Sequence, residues 1–233
     1  MGAFAEKPSN VWAIVPVKQL SRAKQRLSPV LSQNERVKLA RIMLHEVLMT
    51  LCATSDFAGI IVVTSDPMVT NLAALFDARV VCDVTETGIN AAVQQGLKAL
   101  DRSAGAVIIP ADVPFATVGD FRAIIDELQR YPVVLAPALC DGGTNALAMR
   151  APDLIMPKFG EDSYLRHQMV ARSNGFSCGV VSAEGIGRDI DRPQDLVAPV
   201  ATRKYSLTAA LLADLNVSAR LGIGALPLSV RHM

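Results

Sequence analysis

The seven residues Val11–Val17, Val-Trp-Ala-Ile-Val-Pro-Val, carry no charge, and the nine that follow bring Lys18, Arg22, Lys24 and Arg26. A strand without a polar face is stable only where both faces are covered, as at the centre of a parallel sheet flanked by helices. A cationic loop leaving the end of such a strand sits where open α/β sheets bind their ligands. This run therefore calls for further strands of the same kind, with helices between them.

The rest of the chain supplies both. Ser32-Gln33-Asn34-Glu35 is a capping box, and the helix it opens repeats Leu39, Ile42, Met43, Val47 and Leu51 at helical spacing. Gly59–Thr64 is a second apolar strand, followed by Asp66 as N-cap and Pro67 at the first helical position, with a helix to about Phe76. Arg79–Cys82 is a short strand; Thr87-Gly88-Ile89-Asn90 opens a helix to about Leu100; Ala106–Ile109 is a strand, Thr117–Arg130 a helix and Val133–Ala136 a strand. Alternation of this kind predicts an α/β fold with a parallel sheet covered on both faces.

Beyond Ala136 the pattern is less regular. Asp141–Asn145 reads as a loop before a strand at Ala146–Met149, and Phe159–Ser163 as a second loop in which Ser163 caps a helix Tyr164–Asn174. Cys178–Val181 is a strand, and Asp189–Pro193 leads into a short helix ending near Val197. Residues 1–10 form a lead-in. Residues 1–200 are expected to make one domain and 201–233 a C-terminal extension with an amphipathic helix at Leu207–Leu215, then Gly222, Gly224 and Pro227. The extension packs on its own domain or, in a homodimer, on a partner subunit.

A net charge of +1 gives no overall attraction for nucleic acid or for a membrane surface, so a cationic site has to be local. No stretch is apolar for long enough to span a bilayer, and a cytoplasmic location is expected. The four cysteines form no C-x-x-C pair and read as small buried hydrophobes; His45, His167 and His232 are isolated and read as structural or surface residues.

Absent motifs narrow the chemistry. There is no G-x-x-x-x-G-K-[ST], no G-x-G-x-x-G and no G-x-S-x-G, and no histidine stands beside a plausible nucleophile, so covalent catalysis is not expected. Aspartates at strand ends are what is left. Asp112 follows a buried strand, and Asp189 and Asp191, two apart in an extended segment, point to the same side. A few hard oxygen ligands with room for phosphates and water suit Mg²⁺. Structural roles are the alternative, with Asp112 capping a turn and Asp191 acting as an N-cap near Pro193. Gly88 and Asn90 read as a turn and a helix start. Gly142-Gly143 either makes a tight turn or frees backbone N–H groups for an anion, with Thr144 adding a hydroxyl. Ser163 at a helix start offers similar chemistry.

Taken together, these segments resemble the guanylyltransferases of deazaflavin-coenzyme biosynthesis, the CofC/FbiD family, over about residues 11–198. The matching stretches are Ile14–Lys24 with Arg26-Leu27, Thr87–Ala92, Pro110–Pro114, Asp141–Leu147, Phe159–Tyr164 and Asp189–Leu196. The resemblance implies a Rossmann-like nucleotidyltransferase fold related to the glycosyltransferase-A type, with a mostly parallel central sheet. It implies transfer of GMP from GTP to 2-phospho-L-lactate, phosphoenolpyruvate or 3-phosphoglycerate, releasing pyrophosphate. By the same resemblance Pro16, Val17, Lys18 and Lys24 line the nucleotide's phosphates, Lys18, Lys24 and Asp112 are catalytic, and Gly88 and Asn90 lie near the base and ribose. Asp112, Asp189 and Asp191 would hold Mg²⁺, and Thr144, Gly160 and Ser163 the phosphate of the acid. This chain departs from the pattern at Glu161-Asp162, where relatives often have Pro-Gly. Other readings are a sister nucleotidyltransferase acting on a sugar phosphate or a molybdopterin-type acceptor, and a non-catalytic nucleotide-binding regulator.

Overall fold

Seven strands form one sheet: β1 (Val11–Pro16), β2 (Gly59–Thr64), β3 (Arg79–Cys82), β4 (Gly105–Ile108), β5 (Val133–Pro137), β6 (Thr144–Met149) and β7 (Cys178–Val180), in the order β3-β2-β1-β4-β6-β5-β7. The computed structural model describes residues 10–84, 86–197 and 206–222. The apolar run that opens the chain is the third strand of seven, paired in parallel with β2 on one side and β4 on the other. β6 is the exception to the parallel pattern, antiparallel to both β4 and β5. It begins at Thr144, so Thr144 and Asn145 belong to the strand rather than to the loop expected from the sequence. The Gly142-Gly143 turn reverses the chain within a few residues of β5, and a connection that short permits only an antiparallel neighbour.

Side chains alternate across β1 and so divide the core. Ala13 and Val15 face a cluster that includes Leu44, Leu48 and Leu51 of α1 (Gln33–Cys52), Val69 of α2 (Pro67–Ala74) and Phe121 of α4 (Val118–Glu127). Ile14 faces the other layer, with Val93 and Leu97 of α3 (Ile89–Lys98) and Ala171 of α5 (Ser163–Ser173). α3 lies so close to the sheet that a Cβ on Gly96 would come within 2.7 Å of Ile14 and 2.9 Å of Val63. Only glycine fits there, and this close approach carries the start of α3 to the rim beside the β1 loop. A short helix absent from the sequence expectations, α6 (Glu184–Gly187), leads into the aspartate segment.

The helix starts at Ser32 and Asp66 are capped as the sequence indicates, the first by a complete capping box. Thr117 proves to be a third cap, with Asp120 completing its box. Ser163 does not cap α5. The N-cap is Asp162, and Ser163 is the first helical residue, its hydroxyl turned towards Thr144. The cysteines also depart from expectation: Cys52, Cys82 and Cys140 are exposed and Cys178 is half-buried.

The described part of the extension packs on its own domain. It comprises α7 (Leu207–Asp214) and α8 (Val217–Arg220). Glu46 of α1, 1 % exposed, accepts hydrogen bonds from Ser206 Oγ and from the backbone N–H groups of Leu207 and Thr208. A carboxylate at a helix N-terminus satisfies unpaired donors and meets the positive end of the dipole. Arg220 of α8 adds a forked pair to Glu35, and its hydrogen bond pulls the Glu35 carboxyl down to about 2. The expected domain boundary at 200/201, His232, Gly224 and Pro227 lie outside the described residues.

Candidate active site

The carboxyl ends of β1 and β4 and the amino end of the antiparallel β6 open into a cavity of about 700 Å³. Its cationic wall is the loop after β1, wound into two turns of 3₁₀-helix at Leu20–Arg22 and Gln25–Leu27. The loop is anchored at both ends by physical means: Leu20 N–H donates to the buried Asp66 carboxylate at 2.8 Å, and Leu27 is fully buried. Between the anchors Lys24 has φ 54°, left-handed backbone that costs a non-glycine residue of the order of 1 kcal/mol. That conformation turns the Lys24 side chain inward, where only 9 % of it is exposed.

Two aspartates hold its ammonium, and a third, Asp189, stands near enough for its charge to act on it. Lys24 Nζ lies 2.5 Å from Asp112 Oδ2 and 3.5 Å from Asp191 Oδ1, and Asp191 also accepts from Arg26 at 2.6 Å. Arg26, which the sequence alone left without a task, is thus part of the cluster. Ile190, between Asp189 and Asp191, is 1 % exposed in an apolar cluster with Leu27 and Phe115, and its N–H donates to the Asp112 carbonyl. Burying the middle residue turns its two neighbours out together, and the backbone bond brings them to Asp112. Asp189 is held by Asn145 Nδ2 at 3.1 Å.

The charges are not balanced. Burial alone would lower the Lys24 pKa, but the charge and hydrogen bond of Asp112, with the charges of Asp191 and Asp189, outweigh it and raise the pKa above its usual value. Burial likewise raises the Asp191 carboxyl, and Lys24 and Arg26 overcome this to leave it lowered. Asp189 has no such help. Burial first, and then the negative charge of Asp112, push it up to about 6. A buried carboxylate beside a second negative charge is a place at which a further cation is favourable. Among the described residues no three His, Cys, Asp or Glu side chains already enclose a space of ion size. The Lys24 ammonium stands between Asp112 and Asp191.

Another part of the wall is formed by Thr144 at the start of β6 and Ser163 at the start of α5, 4 % and 2 % exposed, with their hydroxyls 3.2 Å apart. Three of the backbone donors around them are already engaged. Gly143 N–H donates to Asp141 Oδ1, Ser163 N–H to the Gly160 carbonyl and Tyr164 N–H to the Gly142 carbonyl. Gly142-Gly143 makes a tight turn, with φ 70° at Gly142, and the hydroxyls add polarity to this wall. Gly160 has φ 125° and Asp162 φ 50°. Asp162 thus takes a left-handed position natural to glycine, and Glu161 and Asp162 are both exposed.

Pro16, Val17, Lys18 and Gly88 also line the cavity. Lys18 is exposed, and Gly88 is the N-cap of α3 with φ 122°. Asn90 is elsewhere. Its amide forms a two-way clamp on Phe159, donating to the carbonyl at 3.0 Å and accepting from the N–H at 2.8 Å, so it braces the Phe159–Ser163 loop against α3.

His167 is the residue of this site that sequence reasoning missed. It is fully buried behind Thr144, and burial pushes its pKa down to about 4. Its unfolded counterpart titrates near 6.5, so between about pH 4 and 6.5 the unfolded chain holds a proton that the folded chain does not. Stability linked to His167 is complete above that window and lost as pH falls through it, by about 3 kcal/mol in full. Asp189, raised to about 6, has the opposite sign, destabilising as pH rises above its unfolded value. The expected result is that urea melts at about pH 7 and pH 4.5 differ less for H167N than for the wild-type chain, the difference between the two proteins isolating the histidine.

The matching family is Guanylyl transferase CofC like, over residues 11–218. The chain belongs to it. Among its relatives, the phosphoenolpyruvate guanylyltransferase of Sphaerobacter thermophilus is 39% identical over 186 residues, covering 79% of this chain and 89% of that one. The 3-phospho-D-glycerate guanylyltransferase of Phenylobacterium zucineum is 37% identical over 209 residues, covering 88% and 96%. In three dimensions the chain resembles a nucleotide-diphospho-sugar transferase from Desulfovibrio desulfuricans G20, with a TM-score of 0.75 at 18% identity over 92% of this chain and 98% of the other, which shows the shared fold. This family member is a nucleotidyltransferase enzyme with the expected α/β fold. No described helix is long and apolar enough to cross a membrane.

Proposed function

We propose that the chain transfers GMP from GTP to the phosphate of a small three-carbon acid, in the biosynthesis of a deazaflavin coenzyme. One observation carries the reading: a single cavity joins a cationic, carboxylate-lined wall to a wall of paired hydroxyls, one for each phosphorylated substrate. In the step proposed, a phosphate oxygen of the acid attacks the α-phosphorus of GTP. A new P–O–P bridge forms, the α–β bridge breaks, and pyrophosphate leaves with its electron pair. The attacking phosphomonoester is already mostly dianionic at neutral pH, its second pKa being about 6, so no general base is needed. That agrees with a cavity that, among the described residues, no histidine lines.

The protein's task is to bring two anions together and to hold the leaving charge. Lys18 and Lys24 supply positive charge along the nucleotide's phosphates, and Gly88 leaves room for the nucleoside. Asp112, Asp189 and Asp191 would hold Mg²⁺, which when bound neutralises phosphate oxygens and supports the leaving pyrophosphate. The acid sits on Thr144 and Ser163 beside the Gly160 turn.

The test is a mixture of GTP with 2-phospho-L-lactate, phosphoenolpyruvate and 3-phosphoglycerate, analysed by mass spectrometry. A guanosine diphosphate diester of one or more acids, formed with an equal amount of pyrophosphate, is the expected result. Turnover with CTP or UTP and a sugar phosphate, and none with this mixture, would overturn the reading.

A further inference from the structure

Thr144 Oγ1 stands 3.0 Å from His167 Nδ1 and 3.2 Å from Ser163 Oγ, and none of the three residues is more than 4 % exposed. A fourth group settles where the protons lie. Lys158 N–H donates to His167 Nε2 at 2.9 Å, so Nε2 presents its lone pair and the neutral ring carries its hydrogen on Nδ1. Nδ1–H then donates to Thr144 Oγ1.

The two hydroxyls own one hydrogen each, and one of these is engaged between them. Among the described residues neither hydroxyl has a further partner. With Nδ1 as a donor, one hydrogen is left over and the cavity is the space open to it. With the other tautomer, the Thr144 hydrogen would go to the ring and that of Ser163 to Thr144, leaving none. The tautomer of His167 therefore decides whether this wall offers a donor. Its ring is held firmly, edge-on to Phe159 at 4.9 Å, and Phe159 is clamped by Asn90. Burial, which keeps the pKa at about 4, leaves the ring neutral at physiological pH.

We infer that His167 is a positioning residue, whose Nδ1–H sets the Thr144–Ser163 pair to present a hydrogen-bond donor to the phosphate of the acid substrate. A phosphate oxygen only accepts at neutral pH, and the neighbouring backbone N–H groups of Gly143, Ser163 and Tyr164 are already engaged. This inference rests on the acid side of the function proposed above.

The test compares two amides. In H167N the amide nitrogen falls near the place of Nδ1 and can donate to Thr144; in H167Q the amide reaches the place of Nε2 and cannot. H167Q is expected to raise KM for the acid about 10-fold, as for one lost hydrogen bond, with KM for GTP within about 2-fold. H167N should hold KM for the acid within about 3-fold of wild type. In a double-mutant cycle, H167Q should add little to T144V, because the histidine acts through that hydroxyl. Equal KM for the acid in the two amide variants, or a parallel rise in KM for GTP, would overturn the inference while leaving the reaction in place. Failure of the wild-type chain to guanylylate any acid would instead reject the function. Nitrogen-15 NMR of the wild-type protein decides the tautomer without either assay: a hydrogen on Nδ1 is expected, and one on Nε2 overturns the inference even if both variants fail to fold.

Discussion

Asp112→Asn should lower turnover by ~100-fold or more, the usual cost of removing one preorganised electrostatic group, while moving Tm by only a few degrees. The substitution keeps the shape of the side chain and removes its charge. Lys24 then retains Asp191 at 3.5 Å as a partner, so its buried ammonium is not stranded. The effect on Asp189 has the opposite sign. Without the neighbouring negative charge its carboxyl returns towards the ordinary range. The apparent affinity for Mg²⁺ in the pyrophosphate-release assay should weaken in parallel with turnover. A variant that folds and turns over normally at all Mg²⁺ concentrations would remove Asp112 from the metal set.

Lys24→Met is expected to be the most damaging change at this site, and to damage it in two ways. It deletes a cation from the nucleotide's phosphates, worth ~100- to 1,000-fold in turnover. It also leaves Asp112, Asp189 and Asp191 facing one another around an apolar side chain. Breaking a buried ion pair by removing one partner costs about 3 kcal/mol or more, because an uncompensated charge stays behind. In a chelating buffer the variant should therefore melt well below the wild-type protein. Saturating Mg²⁺ should recover much of that loss and raise Tm more in the variant than in the wild type, since the ion replaces the missing ammonium as counter-charge. Thermal melts with and without Mg²⁺ read this directly, independently of turnover. Equal responses of the two proteins to Mg²⁺ would show that these aspartates do not hold the ion.

Most of the scaffold was legible before folding, for local reasons. The caps at Ser32 and Asp66 are contacts between residues two or three apart, and the apolar strands at Val11 and Gly59 have no polar face to offer. The pairing of Asp189 with Asp191 was legible too, because side chains two apart in an extended segment share a side. The reading was weaker where a residue's role depends on something distant in sequence. Ser163 looked like a cap, yet its hydroxyl faces Thr144 across 19 residues and Asp162 takes the capping position. The resemblance gave Asn90 a place near the base and ribose, and only the fold shows that its amide clamps Phe159, 69 residues away. The antiparallel direction of β6 showed only in its short Gly142-Gly143 connection to β5, since an apolar run by itself reads the same in either direction.

By itself, the sequence determined the alternation of strands and helices through Ala136, the family and the identity of the charged residues that any phosphate chemistry here would use. These follow from spacing, capping and motif order, which act over a few residues at a time. Tertiary structure alone decided the partners. Lys24 was a loop cation until left-handed backbone turned it in to Asp112, 88 residues away, and Arg26 had no assigned role until it met Asp191, 165 residues away. His167 had no signal at all, because one isolated histidine on a helix says nothing about what its two nitrogens face. Burial, a backbone N–H on one nitrogen and a hydroxyl on the other were needed to give it a role, and those are properties of packing.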